Sequence, residues 1–343
     1  MKKLLNTLYV TTEDAYLSLN GETIEVNFPN NVKKNIPLHT LNSIVCFSYK
    51  GASPALMGKC AENQIQLSFY SPRGRFLASV LNNENGNVLL RRTQYRVADS
   101  PYESLDLAKN MIYGKLYNSK YVLHRVMRDH PLQVDRSAIT KSCENISRYM
   151  KDVQNTDSPD VLRGIEGNAA SEYFSVFDEM ILQNKFDFKF NGRNRRPAAD
   201  NVNALLSFAY SLLANDCASA LQGVGLDPYV GFLHTDKPGR KSLALDLEEE
   251  LRSVFADRFV LYLINNRILN GNGFICQESG AVLLTDDSRR KFLSEWQKRK
   301  KDIITHPFLE EKIEWGLVPH VQALLLARFL RGDTDGYPPF FWK

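Results

Sequence analysis

The spacing of apolar residues changes along the chain and divides it into two parts. Residues 4–81 contain short segments rich in β-branched and aromatic residues that partly alternate with polar ones. Asn20-Gly21 is typical of a two-residue hairpin turn. A helix is predicted over residues 53–63, where apolar residues recur at helical spacing and Pro54 lies near the first turn. This part is therefore predicted to be a small β-rich domain.

From about Leu89 the apolar residues follow a helical period, which continues to residue 332. Ser100 and Pro101 are typical of the N-cap and first turn of a long helix. We find no convincing strand pattern in this part. The sequence predicts an α+β multidomain protein, with a β domain over residues 1–88, a linker over 89–100 and a larger all-α domain over 101–343.

Residues 225–252 carry the densest candidate chemistry. A short apolar run ends at His234, and after a turn a predicted helix carries Asp246, Glu249 and Glu250. Leucines at every fourth position mark one buried face of this helix, so carboxylates three and four residues apart can converge on another face. Because converging carboxylates repel, a divalent cation with His234 as nitrogen ligand is one interpretation. A solvated acidic face beside a core histidine is the other.

Basic residues lie close to these carboxylates in sequence, in the turn after His234. A second basic loop precedes a predicted helix that starts at about Asp200. Cations beside a metal ion suit a site that holds a scissile phosphate, although exposed loops also carry such residues. The candidate phosphate or DNA contacts are Lys237, Arg240, Lys241, Arg193, Arg195 and Arg196.

The composition is that of an ordinary globular protein, with 43% hydrophobic and 24% charged residues. The net charge of +4 permits an anionic partner without requiring one. The five cysteines are scattered without CxxC pairs, which favours reduced thiols and disfavours structural zinc. No signal peptide or membrane span is expected, so we expect a cytoplasmic protein.

Two further stretches carry candidate chemistry or contacts. Glu166 lies in RGIEGNAASEYF beside the apolar rows of a predicted helix that starts at Ser158-Pro159. A carboxylate there is costly unless it is paired, and a partly exposed glutamate is the alternative. The proline-aromatic stretch after Gly332 has few polar groups, so we expect it to dock on its own domain or on a partner.

These motifs carry a family resemblance that covers essentially the whole chain. RGIEGNAASEYF, GLDPYVGFLHTDKPGRKSLALDLEEELR and ARFLRGDTDGYPPFFWK occur in this order. The chain resembles the CRISPR adaptation integrases, the first-numbered CRISPR-associated proteins, and its last residues are similar to those of type I-C systems. The resemblance implies a sandwich-like β domain followed by a helical catalytic domain.

The resemblance also implies a metal site formed by Glu166, His234 and Glu249, with Mg²⁺ or Mn²⁺ as cofactor. Glu250 is the competing ligand if the register shifts by one. Asp246 would be a nearby carboxylate that orients the site, and Lys237 would meet the phosphate. Ser253 replaces a proline that is frequent in the family, which concerns the helix end and leaves the ligands unchanged.

The implied reaction is transesterification, in which the 3′-hydroxyl of a short DNA fragment attacks a phosphodiester at the repeat edge of a CRISPR array. Water as nucleophile would give nicking. The implied partners are DNA, a second copy of the chain in a homodimer, and the small second adaptation protein. The alternatives are a stand-alone metal-dependent DNase that acts on branched DNA in repair, and a non-catalytic DNA-binding scaffold.

Overall fold

The computed structural model describes residues 7–29, 31–41, 43–63, 65–71, 76–80, 87–194 and 197–342. The chain forms two compact units, and each is discontinuous in sequence. The first, here called the β unit, combines Met1–Gly86 with Leu284–Asp302 and Glu314–Leu317. The second, here called the helical unit, contains Asn87–Leu283, Ile303–Ile313 and Val318–Lys343.

The helices of the described residues are numbered in chain order. They are α1 (Pro54–Glu62), α2 (Val88–Asp99), α3 (Pro101–Asp129), α4 (Arg136–Asn155), α5 (Pro159–Ser175), α6 (Asn201–Gly223), α7 (Ser242–Glu249), α8 (Arg258–Asn265), α9 (Asp286–Lys300) and α10 (Val318–Leu330). Short 3₁₀ turns lie at Leu38–Thr40, Phe177–Met180, Gly271–Gly273 and Trp315–Leu317.

As far as the β unit is described, the strands between residues 7 and 80 form two sheets. They are β1 (Thr7–Val10), β2 (Tyr16–Asn20), β3 (Thr23–Asn27), β4 (Lys33–Pro37), β5 (Ser43–Cys46), β6 (Gln66–Tyr70) and β7 (Phe76–Val80). One sheet has the order β1-β5-β6-β7, in which β1 and β6 run parallel to β5 and β7 runs antiparallel to β6. The other is the antiparallel sheet β2-β3-β4.

Both sheets and α1 share one apolar core, which confirms the predicted β-rich region. Leu17, Ile44 and Leu56 come from the two sheets and the helix, and all are fully buried in it. The predicted hairpin joins β2 to β3, where Asn20 pairs with Thr23 and Gly21 has a φ of 57°. The predicted helix at residue 54 is present, and Ser53 Oγ accepts a hydrogen bond from the Leu56 amide at 3.2 Å.

Helix α9 belongs to the β unit although it lies about 200 residues further along the chain. Its Phe292 and Trp296 side chains are fully buried, and the Arg289 guanidinium lies 5.3 Å from the Phe47 ring centroid. The predicted linker over 89–100 contains most of helix α2. The predicted domain boundaries therefore remain a prediction, and they differ from the bounds of the two compact units.

Helices dominate the second unit, and several start where the sequence places a cap. The Ser100 and Ser158 hydroxyls and the Asp200 carboxylate each accept a backbone hydrogen bond at the start of α3, α5 and α6. Helix α6 is long and apolar enough to cross a membrane, but 67% of its most apolar window is buried inside the protein. Such burial is typical of a core helix.

The expectation of a purely helical second part is wrong in detail. Among the described residues of this part, four three-residue strands form two pairs: β8 (Phe274–Cys276) with β9 (Val282–Leu284), and β10 (Ile303–Thr305) with β11 (Lys312–Glu314). Strands this short have no readable alternation, because a period of two needs a longer window. After α7 and two intervening residues, a wider π-helical turn spans Arg252–Asp257, a feature frequent near functional sites.

Candidate active site

The Asp246 carboxylate on α7 holds the loop that carries His234. Asp246 is fully buried, and its oxygens accept backbone N–H bonds from Phe232, Leu233 and His234 at 2.6, 3.0 and 3.1 Å. A Cβ on Gly231 would lie 2.7 Å from Asp246 Oδ2. Glycine is therefore required at this position, because the loop backbone wraps closely around the carboxylate.

The same carboxylate orients the His234 ring. His234 Nδ1 lies 2.6 Å from Asp246 Oδ1, so the ring donates from Nδ1 and keeps Nε2 as its acceptor nitrogen. A carboxylate behind the imidazole is the usual support of a metal-ligating histidine. The structure thus brings two of the predicted site residues together, with Asp246 in the orienting position that the resemblance implies.

Glu166 on α5 and Glu249 on α7 meet at one lysine. Lys115 on α3 forms ion pairs with Glu166 Oε1 and, at 2.7 Å, with Glu249 Oε2. The Lys115 and Glu249 side chains are 10% and 3% exposed, whereas that of Glu166 is 24% exposed. The two predicted carboxylate ligands therefore converge on a single cationic position at the edge of the protein interior.

Arg252 neutralises the other side of the acidic cluster. Its guanidinium lies 3.2 Å from Glu248 and 2.5 Å from Glu249, and 4.9 Å from the Tyr210 ring centroid. Burial by itself raises the pKa of Glu249, but Arg252, Lys115 and His234 outweigh it and lower that pKa to about 2. Glu249 is therefore ionised at neutral pH, and His234 is close enough to influence its pKa.

The donor chemistry of this cluster fits a divalent cation. Glu249 Oε2 is buried and accepts no hydrogen bond of acceptable geometry, although Lys115 Nζ lies close to it. Two carboxylates and an imidazole nitrogen are ligands that Mg²⁺ and Mn²⁺ accept. Among the described residues, however, no three His, Cys, Asp or Glu side chains lie close enough together to hold an ion. Binding of an ion would therefore require these side chains to move.

Glu250, the competing ligand, faces other partners. Its Oε1 accepts from the Tyr337 hydroxyl at 2.6 Å, and its Oε2 accepts from the Phe340 amide at 2.7 Å and from Gln322 Nε2 at 2.9 Å. Burial raises the Glu250 pKa to about 7, against the effect of these donors. The geometry favours Glu249 over Glu250 as a ligand. It also shows that the proline-aromatic stretch docks on its own unit.

The candidate DNA contacts fall into three groups. Lys237 is exposed in the turn after His234. Nearby, Arg240 bonds to Thr235 and Ser242, and burial lowers the Lys241 pKa to about 8. Arg193 bonds to Asn203 and Ser207 and lies 5.3 Å from the Tyr210 ring centroid, so the structure gives it packing contacts. Arg195 and Arg196 lie outside the described residues.

Lys115 and Arg252 are the site residues that sequence reasoning missed. Lys115 lies on the buried face of α3, one turn after buried Met111 and beside buried Leu116. A lysine on the buried face of a helix needs an acidic partner. The position of Lys115 among buried residues could therefore have indicated, from the sequence alone, that it pairs with a carboxylate. Gly164 and Gly167 lie close to Glu166 in the chain, and a Cβ on either would meet open space.

The fold matches solved structures of one group. It superimposes on a casposase bound to integration product with a TM-score of 0.84, at 23% identity over 98% of this chain and 94% of that chain. A Cas1 protein from Thermotoga maritima gives 0.81 at 22% identity over 98% and 100%. A Cas6-RT-Cas1–Cas2 complex gives 0.82 at 19% identity over 98% and 36%. Fold and acidic cluster together define a protein of the Cas1 fold.

Sequence comparison gives the family. The profile described as CRISPR associated protein Cas1 matches residues 8–298. CRISPR-associated endonucleases Cas1 from Chlorobaculum tepidum and Rhodospirillum rubrum are 46% and 49% identical, each over the full length of both chains. The chain therefore belongs to the Cas1 family of CRISPR-associated endonucleases. It is an enzyme involved in CRISPR spacer acquisition, as the resemblance predicts.

Proposed function

We propose that this chain cleaves and joins DNA at the site formed by Glu166, His234 and Glu249, with a divalent metal ion as cofactor. The observation that carries the proposal is the convergence of Glu166 and Glu249 on one cationic position. The Asp246–His234 pair supports it, since Glu249 lies within electrostatic reach of His234. All three ligands were expected from the family resemblance.

Each side chain has a distinct task in this proposal. When bound, the metal ion supplies charge stabilisation at a non-bridging phosphate oxygen and at the leaving 3′-oxygen. Asp246 fixes the His234 ring, so that Nε2 is the ligand atom. Lys115, which pairs with both carboxylates, would supply a positive charge near the phosphate. Lys237 contacts the DNA backbone from its exposed turn.

The proposed reaction keeps the number of phosphodiester bonds constant. The 3′-oxygen of the incoming fragment forms a bond to phosphorus at the repeat edge, and the bond from phosphorus to the leaving 3′-oxygen breaks. The attacking hydroxyl loses its proton, and the leaving oxygen gains one. With water as nucleophile the same site hydrolyses the phosphodiester, which gives nicking of branched DNA.

The metal is proposed to be Mg²⁺ or Mn²⁺. Oxygen ligands alone suit Mg²⁺, whereas a histidine nitrogen beside carboxylates suits Mn²⁺ better. The donor set of Glu166, His234 and Glu249 combines both ligand types. We therefore expect activity with either ion and tighter binding of Mn²⁺.

The proposed partners are DNA, a second copy of this chain and the small second adaptation protein. Two insertions on opposite strands need two sites at a fixed separation, which a bridged pair of homodimers provides. The structural relatives support this, since one is a casposase bound to integration product and another lies in a complex with Cas2. We further propose a type I-C system, a cytoplasmic location, and domains over 1–88 and 101–343 joined by 89–100.

The test is an integration assay with a supercoiled array plasmid and fragments that carry free or blocked 3′ ends. Glu166→Ala, His234→Ala and Glu249→Ala should each abolish metal-dependent joining and keep DNA binding. Glu144→Ala, which changes an exposed glutamate on α4, is the matched control. Blocked ends should stop joining and leave nicking intact. Joining by all three variants at the control rate would exclude this site.

A further inference from the structure

The segment from Tyr337 to Trp342, here called the aromatic strap, is tied to a buried carboxylate. The Tyr337 hydroxyl and the Phe340 amide donate to the two oxygens of Glu250 at 2.6 and 2.7 Å. Tyr337 is 3% exposed, and Phe340 and Glu250 are fully buried. Two of the donors that satisfy this carboxylate therefore come from the strap, so that Glu250 and the strap hold each other in place.

Asn118 on α3 forms a second anchor for the strap. Its Nδ2 donates to the backbone oxygens of Phe340 and Glu250, both at 2.7 Å. Its Oδ1 accepts from the Trp342 amide at 2.9 Å. One buried side-chain amide thus joins α3, the residue that follows α7, and the strap.

Aromatic contacts extend this attachment along α3. The Tyr117 and Phe341 ring centroids lie 4.9 Å apart, and those of Tyr121 and Trp342 lie 5.6 Å apart. The Arg258 guanidinium at the start of α8 lies 3.9 Å from the Trp342 ring centroid. Stacking a guanidinium on an indole is among the stronger cation–π contacts. The strap is therefore an ordered part of the helical unit.

The anchors of the strap directly adjoin the candidate active site. Glu250 follows Glu249 in the chain, and Asn118 lies one turn after Lys115 on α3. A Cβ on Gly114, the residue before Lys115, would lie 3.0 Å from Pro339 Cβ. The strap thus contacts α3 and the residue at the end of α7, the two elements that carry Lys115 and Glu249.

We propose that the aromatic strap is a positioning element. It holds α3 and the end of α7 in the relative position at which Lys115 and Glu249 form their ion pair. This inference rests on the proposed function of Glu249. Tyr337, Asn118 and Glu250 are positioning residues that contact neither DNA nor metal. A displacement of about 1 Å costs on the order of 10²-fold in rate, so loss of the strap should lower kcat.

The first experiment uses single changes that keep the fold. Tyr337→Phe removes only the hydroxyl that donates to Glu250, and Tyr102→Phe at an exposed position on α3 is the matched control. We expect Tyr337→Phe to lower the kcat of metal-dependent nicking about 10-fold, with the KM for DNA unchanged. Gly114→Ala, which presses a methyl group against Pro339, should act in the same direction.

The second experiment deletes residues 337–343 and adds the heptapeptide YPPFFWK in trans. The deletion should lower kcat about 10²-fold and weaken Mn²⁺ binding measured by electron paramagnetic resonance. The peptide should restore both, whereas the same peptide with Phe in place of its Tyr should raise kcat only to about the level of Tyr337→Phe. Rescue by added peptide separates a positioning role from general destabilisation.

The outcomes distinguish the inference from the proposed function. If Glu249→Ala is inactive but Tyr337→Phe, Gly114→Ala and the deletion keep the kcat of the control, the strap has no positioning role. If Glu249→Ala keeps full activity, the proposed site itself is wrong. If the chain without residues 337–343 does not fold, the two variants Tyr337→Phe and Gly114→Ala provide the test. A wild-type kcat in both variants would overturn the inference.

Discussion

Lys115 sets the electrostatics of the site by contacting two carboxylates that come from different helices. Glu249 also contacts Arg252, so its pKa falls although burial opposes ionisation. Without Lys115, Glu166 would lose this ion pair and Glu249 would depend on Arg252 alone for a direct cationic contact. Removing one partner of a buried ion pair is far more costly than never having the pair.

Replacing Lys115 with methionine keeps the length of the side chain and removes its charge. Without metal, the variant should lose about 3 kcal/mol of unfolding free energy, because the buried Glu249 and the partly exposed Glu166 lose a shared cation. Added Mn²⁺ should stabilise the variant more than the wild type, since the ion then enters without displacing an ammonium group. Urea unfolding with chelator and with Mn²⁺ measures both effects, and equal responses of the two proteins would contradict this account.

Asp257 is another buried carboxylate, at the end of the π-helical turn. It is 1% exposed and accepts the Tyr210 hydroxyl at 2.6 Å. Burial raises its pKa from 3.8 to about 6, partly offset by the tyrosine donor. The folded state therefore binds this proton more tightly than the unfolded state does, and the contribution of Asp257 to stability falls as pH rises between those values.

Asp257→Asn should remove this pH dependence. The unfolding free energy of the wild type relative to the variant should fall by about 2 kcal/mol between roughly pH 4.5 and 7. Thermal unfolding of both proteins across this range measures the difference in unfolding free energy. The contributions of the other titrating groups are the same in both proteins and cancel in this difference. A constant difference would show that Asp257 has the same pKa in both states.

At the scale of elements, caps and turns were predictable because their chemistry is local. Ser53, Ser100 and Ser158 cap α1, α3 and α5 through their own hydroxyls, and Gly21 forms a hairpin loop with positive φ. The three-residue strands and helix α9 in the β unit were not predictable. Their pairing depends on contacts between distant residues, which periodicity does not report.

The same distinction applies to the site. Glu166, His234 and Glu249 were expected from motifs, and Asp246 was expected to orient the site. The partner between the carboxylates was not expected, because Lys115 lies 51 residues before Glu166 and carries no motif of its own. Its position follows from the packing of α3 against α5 and α7, which is a tertiary property.

The loop from Gly231 to His234 gives a prediction at the scale of elements, since its conformation depends on close contact with α7. In Gly231→Ala the new Cβ would approach both Asp246 and the Ser242 backbone closer than 3.0 Å. We expect the loop to shift, His234 to lose its orientation, and kcat to fall on the order of 10²-fold. Gly58→Ala, where a Cβ meets open space on α1, is the control. Unchanged nicking kinetics in Gly231→Ala would show that the loop tolerates the methyl group.

At the scale of the whole molecule, the net charge of +4 is too small to drive DNA binding by itself. Local basic groups must therefore supply the phosphate contacts. Lys237 is the clearest candidate because it is exposed beside the site, whereas Arg193 is engaged in packing.

Lys237→Ala should weaken DNA binding uniformly across sequences. The slope of log K against log salt concentration should become shallower by about 0.9, the value for one lost phosphate contact. Fluorescence anisotropy at several salt concentrations measures this slope. Lys33→Ala, an exposed lysine of β4 paired with Glu25, is the control, and equal slopes in the two variants would exclude a phosphate contact for Lys237.

The discontinuity of the β unit has a consequence for its biosynthesis. Leu284–Asp302 completes a structure that begins with the first residues of the chain. At about 5–20 residues per second, the ribosome needs roughly 10–40 s to synthesise the stretch between them. During this interval the early sheets lack α9 with its Phe292 and Trp296, so the nascent chain exposes apolar surface that chaperones can recognise.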